Sequence, residues 1–239
     1  MWLAIFWGGV AGSAVLVGAL FGIYFKLPSK LIALIMAYGT GILIGAASFE
    51  LLLDAIENGG RTATVVGFIS GATLFTAFEF IIAKKGGHHR KRSSSNPVGH
   101  SGLAIFVGTI LDAIPESVIL GVSLLKDGSV SWALLAAIFL SNFPEGLSST
   151  HGLKKDGYSN KKIVFLWAFV FLLAAFGSFS GFYFLKDTSE VYIASIGAFA
   201  AGGIIAMVSS TMMPEAFEEG GPIVGMIAAL GLLTSLMLS

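Results

Sequence analysis

Two short segments of this chain carry acidic and amide side chains inside long apolar stretches. The first is Leu111-Asp112-Ala113-Ile114-Pro115-Glu116, and the second, 29 positions further on, is Leu140-Ser141-Asn142-Phe143-Pro144-Glu145. A carboxylate at bilayer depth costs roughly 3 kcal/mol on insertion scales, so such residues are usually there for a function. Each proline also releases the carbonyl four residues earlier, here that of Leu111 or Leu140. Carboxylates, an amide and released carbonyls together predict a cation site.

The spacing of these residues indicates what the site would bind. On a helix, Asp112 and Glu116 lie one above the other on the same face, and Ser141 has the same spacing to Glu145, with Asn142 between them. Such hard oxygen donors suit Mg²⁺, Ca²⁺ or Mn²⁺ and are tolerated by Zn²⁺ and Fe²⁺. A bound dication would offset the carboxylate repulsion and displace protons, so binding should weaken at low pH. The alternative is that these groups only hydrogen-bond one another inside a bundle.

The composition indicates which kind of structure must position these residues. Of 239 residues, 55% are hydrophobic and 12% are charged, against about 25% charged in soluble domains, so an integral membrane protein is expected. Mean hydropathy is +0.87, and the formal net charge of zero argues against nucleic acid as a partner. The chain has no cysteine, which excludes disulfides and thiolate metal sites. The first charged side chain is Lys26, so the N-terminal stretch is expected to remain as a membrane span rather than a cleaved signal peptide.

Uncharged or nearly uncharged runs of about 17–25 residues predict an all-α integral membrane protein with eight transmembrane helices. The predicted spans are residues 2–25, 31–54, 62–83, 101–125, 130–151, 162–185, 191–217 and 222–238. Short connections predict a single transmembrane domain over residues 1–239. The longest connection, at about 84–100, is basic and bears histidine, and it is expected in the cytoplasm.

The distribution of Lys and Arg predicts the orientation. If the N-terminus is outside, the inner loops hold eleven basic residues, and the outer side holds only Arg61, Lys126 and Lys186. Basic residues accumulate on the cytoplasmic side, so a multi-pass protein of the cell (plasma or inner) membrane with both termini extracytoplasmic is expected. All the histidines then fall at or near the inner face: His88, His89, His100 and His151.

An internal repeat adds a second level of organisation. Residues 40–60 align without a gap with residues 201–221, an offset of 161 positions, and both copies end in acid, Ala, apolar, Glu, polar, Gly, Gly. The copies lie in predicted helices 2 and 7, which would cross the membrane in opposite directions. We therefore predict a 3+2+3 arrangement, with inverted repeats (helices 1–3 and 6–8) around a central helix 4/5 pair. Inverted repeats are typical of secondary transporters, although small-residue packing also makes apolar helices look alike by chance.

Three further acids lie in other predicted spans. Glu50, near the outer end of helix 2, is either an outer gate or a residue that reaches the interface. Glu79 in helix 3 and Glu215 in helix 7 fall toward the inner end, with His151 closing helix 5, and these would form a relay for a departing ion. Alternatively, Glu79 pairs with Lys84 at the interface and Glu215 is simply a helix-end acid.

These features resemble the ZIP (Zrt/Irt-like) family of divalent-metal transporters. The segment Ser141-Asn142-Phe143-Pro144-Glu145-Gly146 is similar, at five of six positions, to the family motif His-Asn-x-Pro-Glu-Gly. Two more segments are similar to the family's helices 2 and 7: Ser48-Phe49-Glu50-Leu51-Leu52 and Met213-Pro214-Glu215-Ala216. The resemblance implies eight helices, both termini outside, a histidine-bearing loop between helices 3 and 4, and a metal site on helices 4 and 5.

The resemblance also implies which residues bind the metal, and here the chain departs from the family pattern. The ligands carried over directly are Glu116, Asn142 and Glu145. Asp112 stands where the helix-4 motif has histidine, and Ser141 stands where histidine is commonest in helix 5. Predicted helix 6 has no acidic residue, so a second metal position is not expected. Loss of both imidazoles allows manganese or iron besides zinc.

We predict transport of a divalent metal cation (zinc, manganese or iron(II)) across the cell membrane into the cytoplasm through a carboxylate-rich site on helices 4 and 5. The metal is substrate, no cofactor is expected, and the chain lacks the His-Glu-x-x-His and Gly-x-Ser-x-Gly motifs of enzymes. The alternative is a proton-coupled carrier of another solute that uses the carboxylates as a proton relay. Expected partners are the metal ion and the lipid bilayer, and a homodimer is left open. The predicted metal-binding residues are Asp112, Glu116, Ser141, Asn142, Glu145, Glu50, Glu79 and Glu215.

Overall fold

The structure is a computed structural model of the full chain. It describes residues 1–25, 27–84 and 101–239, with the side chains of residues 82–84, 101–105, 111–112 and 126–127 outside the description. Most of the predicted cytoplasmic loop, with His88, His89 and His100, therefore lies outside the described residues, and so do Lys26 and the side chain of Asp112.

Helices make up nearly all of the described chain, as the apolar runs predict. In chain order they are α1 (Trp2–Tyr24), α2 (Ser29–Gly45), the π-helical segment π1 (Ala46–Leu52), α3 (Leu53–Lys84), α4 (Ser101–Asp127), α5 (Trp132–Lys155), α6 (Asn160–Leu185), α7 (Glu190–Met207), the π-helical segment π2 (Val208–Met212), α8 (Met213–Gly220) and α9 (Ile223–Leu238). The helix from α2 through π1 into α3 is interrupted at Gly60, where φ is 74°. The helix from α7 through π2 into α8 ends at Gly221, where φ is 72°.

Five segments of the described chain are long and apolar enough to cross a membrane. They are Trp2–Tyr24, Ser29–Ile81, Phe106–Leu125, Asn160–Leu185 and Glu190–Gly220. The 53 residues of Ser29–Ile81 include the break at Gly60, so this segment is two rods rather than one. The chain is therefore an all-α membrane protein with several apolar helices, while the count of eight spans and their 3+2+3 order stay predictions.

Helix α5 is not among these apolar segments, and its composition explains why. Its second half is rich in polar residues, from Ser141 to His151, which lowers the hydropathy of the whole helix. Sixteen of its 24 residues are buried, including Asn142 and Glu145. A helix with a polar half that is buried on most sides must be surrounded by protein there, because lipid would leave those groups unsatisfied.

The helices pack as two bundles. The first bundle is α1, α4, α5 and α6, which contact one another, and the second is α2, α3, α7, α8 and α9 with the two π-helical segments. Between the bundles the largest contact is α2 against α5, with smaller ones from α4 to α7 and from α5 to α9. We call this boundary the seam. The α4/α5 pair, predicted to be central, thus packs mainly on α1 and α6.

Small residues and polar ties hold the first bundle together. A Cβ at Gly146 on α5 would lie only 2.1 Å from the carbonyl oxygen of Val15 on α1, so these helices touch backbone to backbone. At the end of α1, Lys154 Nζ donates to the carbonyls of Gly22 and Ile23 at 3.2 and 2.9 Å. Such a cation satisfies carbonyls that a helix C-terminus leaves without intrahelical partners.

The sequence offset of 161 positions recurs in the backbone of the second bundle. It relates Gly60 to Gly221, which both have positive φ, and it brings π1 onto π2. It also relates the contact of α2 with α9 to the contact of α7 with α3. Gly41 and Gly202, again 161 apart, make the same close approach, because a Cβ on either would lie 2.0 Å from a carbonyl oxygen of the partner helix.

The two copies of the repeat run in opposite directions. Along the end of the first copy, Ala55 packs against Ala194 near the start of α7, whereas the earlier Leu51 has its carbonyl oxygen 3.8 Å from the Cβ position of the later Gly197. The end of the first copy and the start of α7 therefore run antiparallel, because later residues of the first copy contact earlier residues of α7. This antiparallel relation is what an inverted repeat requires.

Candidate metal site

Four of the side chains predicted to bind metal are buried on α4 and α5. The exposed fraction is 2% for Glu116 and for Glu145, 3% for Asn142 and 0% for Ser141. The two helices are in contact with each other within the first bundle. Asp112 lies one turn before Glu116 on α4, but its side chain is outside the described residues. The structure therefore places the described part of the predicted site in the protein interior.

Prolines shape the backbone around these residues. Pro115 and Pro144 both lie inside continuous helices, as the sequence predicts. The carbonyl of Leu140, which Pro144 deprives of its helical partner, faces α2, since a Cβ at Gly39 would lie 2.7 Å from its oxygen. Nearby serine hydroxyls donate to carbonyls of their own helices: Ser117 to Ala113, Ser141 to Ile138 at 3.0 Å and Ser149 to Glu145. The released backbone of α5 thus lies at the seam, packed closely against α2.

A cavity of about 320 Å³ lies beside Glu116, between α3, α4 and α7. Its walls are almost entirely apolar, with Phe75 and Phe199 from the second bundle and Pro115 from the first. Glu116 therefore lies on the side of α4 that faces the second bundle. A carboxylate beside an apolar cavity is costly to charge unless a cation or a proton accompanies it.

A second cavity, of about 360 Å³, lies at one end of the seam; we call it the Glu50 cavity. Glu50 and Asp54 line it from the second bundle, and Ser123 and Ser131 line it from the first. Ser131, the residue before α5, donates its hydroxyl hydrogen to the Glu50 carboxylate. Glu50 thus lines a cavity at the seam, and the sequence did not predict its partner.

A third cavity, of about 120 Å³, lies at the opposite end of the seam; we call it the Glu215 cavity. Ser148 and His151 line it from α5, and three acids line it from α8: Glu215, Glu218 and Glu219. His151 Nδ1 is 3.0 Å from the carbonyl oxygen of Leu147, and since a carbonyl only accepts, Nδ1 is the donor of this hydrogen bond. The structure brings Glu215 and His151 together, as the predicted relay requires. Glu79 is half-buried on α3 and does not line this cavity.

The repeat relates the two end cavities to each other. An offset of 161 positions converts three lining residues of the Glu50 cavity into three of the Glu215 cavity: Asp54 into Glu215, Ile193 into Ile32 and Gly197 into Met36. The offset of 29 positions between α4 and α5 converts two more: Ile119 into Ser148 and Val122 into His151. Five lining positions of the Glu50 cavity therefore have counterparts in the Glu215 cavity.

Within the described part of the chain, no three His, Asp or Glu side chains lie close enough to hold a metal ion by themselves. At the predicted site on α4 and α5 a group of three cannot be found, because the described side chains there include only two acids, Glu116 and Glu145, and the Asp112 side chain is not described. The remaining donors of the predicted set, Asn142 and Ser141, are neutral oxygens, which hard cations accept readily.

Sequence reasoning missed three residues that the structure places at the cavities. Glu218 and Glu219 join Glu215, and the internal repeat contains the signal for them, since they align with Glu57 and Asn58 at the offset of 161. Ser131 had no comparable signal. It is one of many serines, and only the fold brings it to Glu50, 81 positions away.

The fold and these buried acids define a multi-pass α-helical membrane protein with polar residues in its interior. A sequence model of the family described as ZIP zinc transporter matches residues 83–234, more than half of the chain and all of the described helices from α4 to α8. The chain belongs to the ZIP zinc transporter family, as its motifs predict. This is a family of transporters and not of enzymes.

A curated relative carries the same description. An Arabidopsis thaliana protein named "Putative zinc transporter" is 28% identical over 179 residues, which cover 74% of this chain and 29% of that protein. The chain thus spans less than a third of the length of the curated relative that it matches.

Proposed function

We propose that this chain transports a divalent metal cation across the cell membrane into the cytoplasm. The family supports the class of substrate. The observation that carries the proposal to this chain is the burial of Glu116 and Glu145, each 2% exposed, on two contacting helices that both contain proline. Two acids in a membrane-protein interior are rarely retained unless they bind an ion or move a proton.

The proposed metal ligands are the residues that match the family motif and the two that stand in place of its histidines. They are Asp112, Glu116, Ser141, Asn142 and Glu145. All of these offer oxygen and none offers nitrogen, so manganese and iron(II) are as plausible chemically as zinc. The metal is the substrate, and no resident cofactor is needed for transport. Binding requires deprotonated carboxylates, so metal and protons compete for the site.

The proposed pathway follows the seam from one end cavity to the other. Glu50 and Asp54 would receive the ion at the Glu50 cavity, facing the outside. Glu215 and His151, with Glu79 beyond them, would release it from the Glu215 cavity toward the cytoplasm. This direction is supported by the excess of basic residues at the Glu215 end, which the positive-inside rule assigns to the cytoplasm, with both termini extracytoplasmic.

The transport cycle is proposed to move one bundle against the other. The two bundles meet mainly where α2 contacts α5, so their relative movement disturbs few contacts within either bundle. The antiparallel repeat supports eight spans in a 3+2+3 order forming one transmembrane domain, because such repeats exchange roles as a carrier alternates between faces.

The test is metal uptake by the purified full chain in proteoliposomes. We expect accumulation of Mn²⁺, Fe²⁺ or Zn²⁺ above protein-free vesicles, and competition among the ions that share the site. The double variant Glu116→Ala, Glu145→Ala should reduce uptake to background, whereas the exposed acids Glu57 and Glu190 serve as matched controls whose alanine variants keep full uptake.

Two results would contradict this proposal. The first is the absence of metal uptake by the folded wild-type chain with and without an imposed pH gradient. The second is uptake in the Glu116→Ala, Glu145→Ala variant at the wild-type rate. Proton movement without metal competition would instead favour a proton-coupled carrier of another solute.

A further inference from the structure

A hydrogen bond joins the two bundles across the seam at the Glu50 cavity. Its donor is the hydroxyl of Ser131, which is the N-cap of α5 in the first bundle. Its acceptor is the carboxylate of Glu50, which lies in the π-helical segment π1 of the second bundle. The bond therefore ties the start of the α5 helix, which carries Glu145, to a backbone irregularity of the kind that recurs at functional sites.

The cap and the tie use different parts of the same hydroxyl. Ser131 Oγ accepts the backbone N–H of Leu134 at 3.0 Å, which occupies a lone pair and sets the side-chain rotamer. The hydroxyl hydrogen remains available, and it points to Glu50. When the Glu50 carboxylate is ionised, this bond belongs to the stronger, charge-assisted kind.

The surroundings make this bond easy to break and remake. Glu50 and Ser131 are both partly exposed, and both line the Glu50 cavity. When the bundles separate, water can take the place of either partner, so neither group would be left buried without a hydrogen bond. A bond between two fully buried groups would lack this property.

The internal repeat provides a comparison at the other end of the seam. The position equivalent to Glu50 at the offset of 161 is Thr211 in π2. Its hydroxyl donates at 2.7 Å to the carbonyl of Met207, within its own helix, and not across the seam. In this conformation Glu50 makes a hydrogen bond across the seam, whereas Thr211 bonds within its own helix. The two ends of the seam therefore differ in this hydrogen bond.

We propose that the Glu50–Ser131 hydrogen bond is a latch that holds the two bundles together at the Glu50 cavity, and that the transport cycle opens it. The latch rests on the proposed movement of one bundle against the other. Loss of the latch shifts the chain toward a conformation in which the seam is wider at the Glu50 cavity and narrower at the Glu215 cavity. Ser131 acts here as a positioning residue, through Glu50, and not as a metal ligand.

The experiment measures thiol accessibility at both ends of the seam, which the absence of native cysteine makes simple. Ser123→Cys reports on the Glu50 cavity, and Ser148→Cys reports on the Glu215 cavity. Each is placed singly in the full chain, in lipid nanodiscs that leave both faces accessible, and its rate of reaction with a membrane-impermeant maleimide is measured without metal.

Four substitutions separate the latch from the helix cap. Ser131→Asp keeps an acceptor for the cap, removes the donor and sets a second carboxylate opposite Glu50, whereas Ser131→Thr keeps both functions. Glu50→Gln retains the size of the side chain and makes the acceptor neutral. The control is Ser159→Asp, because Ser159 caps α6 through the N–H of Lys162 at 3.4 Å and is exposed.

We expect Ser131→Asp to speed labelling at Ser123→Cys and to slow it at Ser148→Cys, each by on the order of tenfold, which a charge-assisted hydrogen bond is strong enough to produce. Glu50→Gln should move both rates in the same directions by a smaller factor. Ser131→Thr and Ser159→Asp should leave both rates unchanged.

The latch would be overturned if the labelling rates at both reporters were the same in Ser131→Asp, Glu50→Gln and Ser131→Thr. It would also be overturned if Ser159→Asp changed the rates as much as Ser131→Asp does. If one of the two test variants does not fold, the other decides the result. The assay contains no metal, so a chain that fails to take up metal refutes the proposed function without altering these rates.

Discussion

Neighbouring glycines on α7 offer a sharp test of how closely α3 and α7 pack. A Cβ at Gly202 would lie 2.0 Å from the carbonyl oxygen of Phe68, whereas the nearest atom to a Cβ at Gly203 is the carbonyl oxygen of Gly71, at 4.0 Å. Both glycines lie in the same helix, and neither has positive φ. Alanine at the two positions therefore differs only in what its methyl group meets.

The expected energies follow from this geometry. Alanine is favoured over glycine in a helix interior by about 1 kcal/mol, and Gly203→Ala should gain up to this amount of stability. For Gly202→Ala, an ordinary contact begins near 3.4 Å, so α3 and α7 must separate by more than 1 Å. The obstacle is a backbone carbonyl, which cannot rotate away, and overpacking of this kind costs about 1–3 kcal/mol. Because the helix-propensity gain is common to both variants, their unfolding free energies should differ by the overpacking cost, about 1–3 kcal/mol.

The assay is unfolding of the purified full chain in mixed micelles, titrated with a denaturing detergent and followed by circular dichroism. Gly203→Ala should unfold at the same or higher detergent fraction as wild type, and Gly202→Ala at a clearly lower one. Gly41 is the repeat equivalent of Gly202, and a Cβ at Gly41 would lie 2.0 Å from the carbonyl oxygen of Ala228. Gly41→Ala should therefore behave like Gly202→Ala. Equal stability of the Gly202 and Gly203 variants would refute the close approach of these helices.

Three further predictions concern the metal site and the first bundle. Replacing Asp112 by His restores a nitrogen donor, and competition assays should then show zinc favoured over manganese by more than in wild type; an unchanged order would argue that Asp112 is not a ligand. Metal uptake should fall as the pH is lowered, because protons compete for the carboxylates, and uptake that rises steadily with acidity would contradict a carboxylate site. Lys154→Met removes two hydrogen bonds to the carbonyls of Gly22 and Ile23 and should cost about 1–3 kcal/mol of unfolding free energy, whereas Lys161→Met at an exposed position, the control, should cost little.

Several features of this protein could be predicted from local sequence. Long apolar runs predicted a helical membrane protein, and the described chain consists largely of apolar helices, although the break between predicted helices 2 and 3 lies at Gly60. The motif around Pro144 predicted the family, and the match over residues 83–234 confirmed it. The burial of Glu145 and Asn142 agrees with the metal site that the same motif predicted on this helix. Hydropathy, helix breaking at glycine and motif spacing are properties of short segments, so sequence is sufficient for them.

Other features required the tertiary structure. Glu79 and Glu215 looked alike in the sequence as inner acids, yet only Glu215 lines the cavity with His151. Ser131 carried no signal, and the fold alone pairs it with Glu50. The division into two bundles was also not predicted, since α4 and α5 pack on α1 and α6.

The physical reason is the solvent in which these helices pack. In hydrocarbon, an apolar helix face has a similar free energy against lipid and against another helix. Hydropathy therefore does not decide which helices meet. Partners are chosen instead by the fit of small residues, such as Gly146 against Val15 and Gly202 against Phe68, and by hydrogen bonds between distant positions. The sequence by itself determined that the chain is helical and apolar and which acids lie within its helices. Only the tertiary structure decided which helices touch, and with that which polar residues share a cavity.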